Sequence, residues 1–164
     1  MVKKINILML TMLGIGNSKY APGTVASFVT CLIYICFYNF QVNIFYLISI
    51  VIIIFIFSVY SIDVFKNTFS KVDAKEIVID EFIGQAIPIL TIYGFLEYQD
   101  IDYFIIYTFI SFLLFRFFDI VKPYPIYIID KNIKNGFGVI LDDIVAGIFS
   151  SLILLIIVSL SYYG

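Results

Sequence analysis

The sequence predicts an all-α, polytopic membrane protein, and three observations predict it. The 164 residues are 62% hydrophobic and only 13% charged, with a mean hydropathy of +1.06. A soluble domain carries about 25% charged residues, so this much apolar surface needs lipid as its solvent. The apolar residues are gathered into five runs, roughly Val25–Phe40, Ile44–Ile62, Phe82–Leu96, Tyr103–Phe118 and Ile144–Tyr163. Finally, all ten Lys and Arg residues fall on one side of the five-span arrangement that these runs imply.

The charge bias sets the expected orientation. With the N-terminus in the cytoplasm, the inside segments carry Lys3, Lys4 and Lys19, then Lys66, Lys71 and Lys75, then Arg116, Lys122, Lys131 and Lys134. The outside segments, Gln41–Asn43 and Glu97–Asp102, carry none. Positive residues stay with the cytoplasmic loops of inner-membrane proteins. The expectation is a multi-pass protein of the cytoplasmic membrane with its polar chemistry at the cytoplasmic face. A formal net charge of −2 and the lack of a basic tract give no footing for nucleic acid.

Each element can be justified in order. Met1–Leu13 imitates a signal peptide, with two lysines and then an apolar stretch, but no small-x-small cleavage site follows. Ile5–Leu13 therefore reads as a retained interfacial or packed helix. Cys31 and Cys36 both fall in the first apolar run and read as buried thiols, not as a disulfide or a metal site. Ile44–Ile62 and Ile144–Tyr163 are uncharged and long enough for a hydrocarbon core of about 30 Å. Phe82–Leu96 is shorter and holds Gly84, Gln85, Pro88 and Gly94, so it reads as a kinked span or a re-entrant segment. Between the last two spans, a surface helix is expected around Pro125–Ile133 and a tight turn at Asn135–Gly138. Nothing suggests a repeat or a second domain, so residues 1–164 read as one membrane-embedded unit.

Four polar clusters sit at the inside ends of these spans. Asp80 and Glu81 stand at the mouth of the third run. A helix dipole explains acids at a helix start, yet carboxylates entering a membrane protein's interior usually have a cationic partner. Arg116, Asp119 and Lys122 are spaced i, i+3, i+6 on one helical face, with Pro123 placing Lys122 at the helix exit. Asp142 and Asp143 open the last run. Two acidic pairs on one membrane face suit a hard cation such as Mg²⁺, which prefers carboxylates, waters and phosphate. The loop Leu13–Ser27 offers backbone N–H groups, Lys19 and Thr24 to a phosphate.

Acids for a divalent cation and bases for an anion, at a membrane face, point to a phosphate-bearing lipid. The chain has no His, which excludes phosphatases with a His nucleophile or acid/base. Both cysteines lie in a span, outside any Cys-x₅-Arg loop, which excludes a cysteinyl-phosphate route. Metal-assisted attack of water on phosphorus remains.

The motifs resemble the phosphatidylglycerophosphatase A family, small membrane phosphatases that use Mg²⁺ to convert phosphatidylglycerophosphate to phosphatidylglycerol. The resemblance rests on Ala21-Pro22-Gly23-Thr24-x-x-Ser27 and on Asp73 followed by Ile77-Val78-x-Asp80-Glu81-x-x-Gly84. It rests further on Arg116-x-Phe118-Asp119-x-x-Lys122-Pro123-x-Pro125-Ile126 and on Gly136-x-Gly138-x-x-x-Asp142-Asp143-x-x-Ala146-Gly147. Ala26 and Phe137 stand where the family usually has Gly.

The resemblance implies Mg²⁺ on carboxylates. Glu81, Asp142 and Asp143 are the expected metal ligands, and Asp80 and Asp119 complete the shell or orient the water. Arg116 and Lys122 are expected to grip the phosphomonoester, with Lys19 and Thr24 as weaker contacts. A different lipid phosphate, such as phosphatidic acid, is the alternative substrate. A cation carrier is the alternative class, but the charges cluster at one face and mark no polar path across the spans. Homo-oligomerisation is left open.

Overall fold

The computed structural model describes residues 2–65, 75–96 and 100–163. The described residues form helices and no strands. In order these are α1 (Val2–Leu10), a 3₁₀ turn at Ile15–Asn17, α2 (Pro22–Asn39), α3 (Ile44–Phe65), α4 (Ile79–Phe95), α5 (Ile101–Val121), α6 (Ile126–Asn132) and α7 (Gly136–Tyr163). Four of them, α2, α3, α5 and α7, are long and apolar enough to cross a membrane.

The shorter α4 is the centre of the bundle. It packs on α2, α3, α5 and above all α7. Ile83, Ala86, Ile89 and Ile92 are sealed from solvent, and so are the polar Gln85 and the helix-breaking Pro88. Phe82–Phe95 lies within one continuous helix that contains Pro88. An irregular, partly polar helix is tolerated at membrane depth because protein surrounds it. Gln85 finds a partner there, donating Nε2 to Ser111 Oγ of α5 at 3.2 Å.

The α4–α7 contact is set by two glycines. A Cβ on Gly147 would overlap the carbonyl oxygen of Gly84 and come within 3.2 Å of Ile87 Cβ. A Cβ on Gly84 would sit 2.7 Å from the Asp143 carbonyl oxygen. Small residues let membrane helices approach this closely, and here they bring Asp143 against the first turn of α4. At the opposite end of the bundle, Tyr38 stacks on Phe104 with ring centroids 4.0 Å apart, and its hydroxyl donates to the Leu96 carbonyl at 2.6 Å.

Several boundaries differ from the sequence expectation, each for a local reason. The first helix is Val2–Leu10 rather than Ile5–Leu13, because Met12, Leu13 and Gly14 turn to positive φ and end it. The tight turn expected at Asn135–Gly138 is instead the capped start of α7. Gly136 N donates to Asp63 Oδ1 of α3 at 2.8 Å, and Gly138 N donates to Asn135 Oδ1 at 2.8 Å. Such bonds satisfy amide groups that a helix start leaves free. Asp142 and Asp143 therefore lie about two turns into α7, not at its entrance. The expected surface helix is α6, anchored by Ile126, which packs with Phe115 and Ala146. Cys31 is buried as expected, but Cys36 is exposed, since five residues of helix turn it to another face.

Candidate active site

Chain direction alternates along the bundle, so one end gathers the starts of α2, α4 and α7 with the finish of α5. All the polar clusters except the exposed Lys19 meet there. A small cleft of about 90 Å³ is lined by Asp80, Glu81, Asp119, Asp130, Asp142 and Asp143, together with Lys122 and Lys134. Most of its wall is carboxylate.

Asp80, Glu81 and Asp143 converge. One carboxylate oxygen from each lies within 4.8 Å of the others. Asp80 and Asp143 are buried and Glu81 is partly so. Asp80 also accepts the Glu81 amide at 3.1 Å, tying off one free N–H of the helix start. Glu81 Oε2 is buried and makes no hydrogen bond. Mg²⁺ holds oxygens at about 2.1 Å, so ligands on one ion lie at most about 4.2 Å apart. The observed spread of up to 4.8 Å lies close to that limit, and the cation would relieve the repulsion among three enclosed acids. The donor set fits the metal.

Asp142, grouped with the metal ligands on sequence grounds, faces differently. Its Oδ2 accepts from Lys122 Nζ at 2.6 Å, while Oδ1 is buried without a partner. Lys122 also reaches Asp130 Oδ1 at 3.1 Å. Lys122 caps α5 in left-handed backbone geometry, φ 44 and ψ 60. Pro123 bars it from helical geometry, and a non-glycine residue in this region costs of order 1–3 kcal/mol. The turn aims the ammonium back into the cleft. Half-burial disfavours that charge, but the bonds and charges of Asp142 and then Asp130 outweigh it, so the lysine pKa lies above its ordinary value.

Arg116 lies one helical turn before Asp119, and Nη1 sits 2.5 Å from Asp119 Oδ2. Its Nε is buried without a partner. The start of α2 closes this side of the site. A Cβ on Gly23 would overlap the Glu81 carboxylate and lie 3.2 Å from Arg116 Nη1. The motif around Gly23 thus serves as a wall that admits the acid and the guanidinium. Thr24 is half-buried in the first turn of α2 behind that wall, and neither it nor Lys19 lines the cleft.

A profile of the phosphatidylglycerophosphatase A family matches residues 8–158. The chain belongs to that family. A Bacteroides thetaiotaomicron protein named "Putative phosphatidylinositol-3-phosphatase" is 30% identical over 151 residues, covering 90% of both chains. The phosphatidylglycerophosphatase A of Haemophilus influenzae is 40% identical over 81 residues, 49% of this chain and 45% of the relative. That of Escherichia coli is 39% identical over 82 residues, 50% of this chain and 43% of the relative. No solved structure matches the chain. Membership in the phosphatidylglycerophosphatase A family makes it a membrane lipid phosphatase, a phosphoric monoester hydrolase.

The phosphatidylglycerophosphatase motifs map unevenly onto the cleft. Asp80, Glu81, Asp119, Lys122, Asp142 and Asp143 line it, with Arg116 directly behind. Asp73 of the second motif lies outside the described residues. Ala26 is fully buried in α2, and Phe137 is partly exposed with its ring edge-on to Phe55, so neither departure from the family pattern alters a charged group. Sequence reasoning missed Asp130 and Lys134. Their one signal was a spacing of four on a short polar helix end.

Proposed function

We propose that the protein hydrolyses the phosphomonoester of phosphatidylglycerophosphate, with Mg²⁺, to phosphatidylglycerol and inorganic phosphate. The observation that carries this reading is the convergence of Asp80, Glu81 and Asp143 beside Lys122 and Arg116 at one end of a membrane helix bundle.

In this reading Asp80, Glu81 and Asp143 hold the cation, and Asp142 is a positioning group for Lys122. The bound ion would supply Lewis acidity at the phosphoryl oxygens and a more acidic water. Lys122 and Arg116 bind the phosphoryl oxygens and stabilise the charge that builds on them. Asp119, held in place by Arg116, takes the proton of the attacking water. The water oxygen bonds to phosphorus, the P–O bond to glycerol breaks, and the leaving alkoxide takes a proton from solvent water while Asp119 returns its own to solvent. The exposed Lys19 is left to headgroup contacts outside the cleft, and Thr24 to support of the wall at Gly23. The one-sided distribution of Lys and Arg supports a cytoplasmic site in the inner membrane.

A phosphoinositide is the second substrate reading, favoured by the name of the Bacteroides relative that matches along 90% of its length. The test is phosphate release by purified protein in detergent, with and without Mg²⁺, from phosphatidylglycerophosphate, phosphatidic acid and phosphatidylinositol 3-phosphate. Mg²⁺-dependent release, fastest from phosphatidylglycerophosphate and lost in Asp143→Asn, is the expected result. Faster release from either other lipid overturns the headgroup assignment, and metal-independent release overturns the triad's role.

A further inference from the structure

Lys122 already holds an anion. Its Nζ lies between two carboxylates, Asp142 Oδ2 at 2.6 Å and Asp130 Oδ1 at 3.1 Å. The two are not equivalent. The Asp142 side chain is 7% exposed, in a long helix packed on α4, and cannot leave without repacking the bundle. The Asp130 side chain is 36% exposed on α6, a helix of only seven residues. Lys134 bonds the Asp130 backbone carbonyl and so steadies the end of α6 that carries it. The two carboxylates take two of the three Nζ–H donors and repel an arriving phosphoryl oxygen, and the more exposed Asp130 is the one placed to swing aside.

We infer that Asp130 is a tethered stand-in for the substrate's phosphate, which holds Lys122 in the resting enzyme and is displaced by a phosphomonoester. This rests on the phosphatase reading above. The physical consequence is selectivity. An incoming anion must enter a cleft walled by carboxylates and outcompete one held at high effective concentration by its own chain. A phosphomonoester dianion, which also meets the cation site, can do so. A phosphodiester lipid, with one charge and both esters capped, cannot. The contact therefore taxes every ligand by the fraction of time that Lys122 is free, and the tax falls hardest on the product, a phosphodiester. Specificity obtained by making the wrong ligand compete with an internal group is a known device.

The experiment uses the full chain in detergent with Mg²⁺ and two probes, inorganic phosphate and phosphatidylglycerol. In Asp130→Asn the dissociation constant for phosphate should fall about two- to fivefold, in the range expected for release of a partly exposed ion pair. The KM for the lipid phosphomonoester should fall with it at little change in kcat, and inhibition by phosphatidylglycerol should strengthen. Asp130→Ser serves the same purpose should the Asn variant fold poorly. In a Lys122→Met background, the Asp130 substitution should tighten phosphate binding clearly less, since only the direct repulsion by one cleft carboxylate is then removed, whereas a general loosening of α6 would act equally in both backgrounds. Unchanged or weaker phosphate binding in the single variant overturns the inference, as does an equal effect without Lys122. If no lipid phosphate is turned over and phosphate binding still tightens through Lys122, the phosphatase reading fails and with it the substrate role, and only the competition of Asp130 with phosphate at Lys122 is retained.

Discussion

Asp142 and Asp143 are adjacent in sequence but belong to different halves of the site. Asp142 accepts from Lys122 at 2.6 Å, and Asp143 turns to Asp80 and Glu81, within 4.8 Å. Successive helical side chains diverge by about 100°, so one acidic pair faces both Lys122 and the Asp80–Glu81 pair.

The two neutralising substitutions should therefore fail differently. Asp143→Asn should lower turnover by about 100-fold or more and raise the Mg²⁺ concentration needed for half-maximal activity. Asp142→Asn should cost about 10- to 100-fold, mostly in KM for the lipid, at a nearly unchanged Mg²⁺ requirement. Activity titrations against Mg²⁺ and against substrate separate the two. Equal Mg²⁺ shifts would return Asp142 to the metal shell, and near-normal activity in both variants would sink the metal assignment.

Gly23→Ala should abolish activity without unfolding the protein. Alanine favours helix over glycine by about 1 kcal/mol, and most positions would gain from the exchange. Here the added methyl overlaps the Glu81 carboxylate. The result should be loss of turnover with a thermal midpoint within a few degrees of wild type in detergent. Retained activity would show that Glu81 can move away at no cost to the chemistry.

Gly147→Ala should do the opposite. Its methyl meets backbone, the Gly84 carbonyl, and backbone cannot rotate aside. Overpacking of this kind costs about 1–3 kcal/mol. Thermal unfolding should fall first, with activity declining as α4 and α7 part. A thermal midpoint equal to wild type would mean that the two helices are not in contact there.

Asp63→Ala tests a residue far from the chemistry. Asp63 accepts Gly136 N at 2.8 Å and caps α7 from another helix. Losing such a cap costs about 0.5–2 kcal/mol. Stability should drop by that amount in a denaturation assay, while the Mg²⁺ requirement and KM stay at wild-type values. A changed Mg²⁺ requirement would place Asp63 in the site's support.

The sequence made the bundle and most of the site legible because both are written in periodicity and charge. Apolar runs marked α2, α3, α5 and α7, and acids at span ends marked the cleft. What stayed hidden depended on direction. Nothing in the pair Asp142-Asp143 says which side chain faces a lysine, since that is fixed by the rotation of α7 on Gly147. The start of α7 at Gly136 was read as a turn because its cap comes from Asp63, a partner distant along the chain. Asp130 was missed because its role depends on the turn at Lys122, where the chain reverses and brings α6 back over the cleft.

The modest length of α4 has a consequence for kinetics. Its 17 residues span about 25 Å, less than a hydrocarbon core of about 30 Å. With α4 embedded beside the longer spans, Asp80 and Glu81 in its first turn are expected near the level of lipid phosphates rather than out in solution. A substrate would then need no lifting from the bilayer to be cut; it would arrive by sideways diffusion and its product depart the same way. The quantity that sets the rate is then the substrate's mole fraction in the membrane, so diluting it with inert lipid at fixed bulk concentration should slow the enzyme.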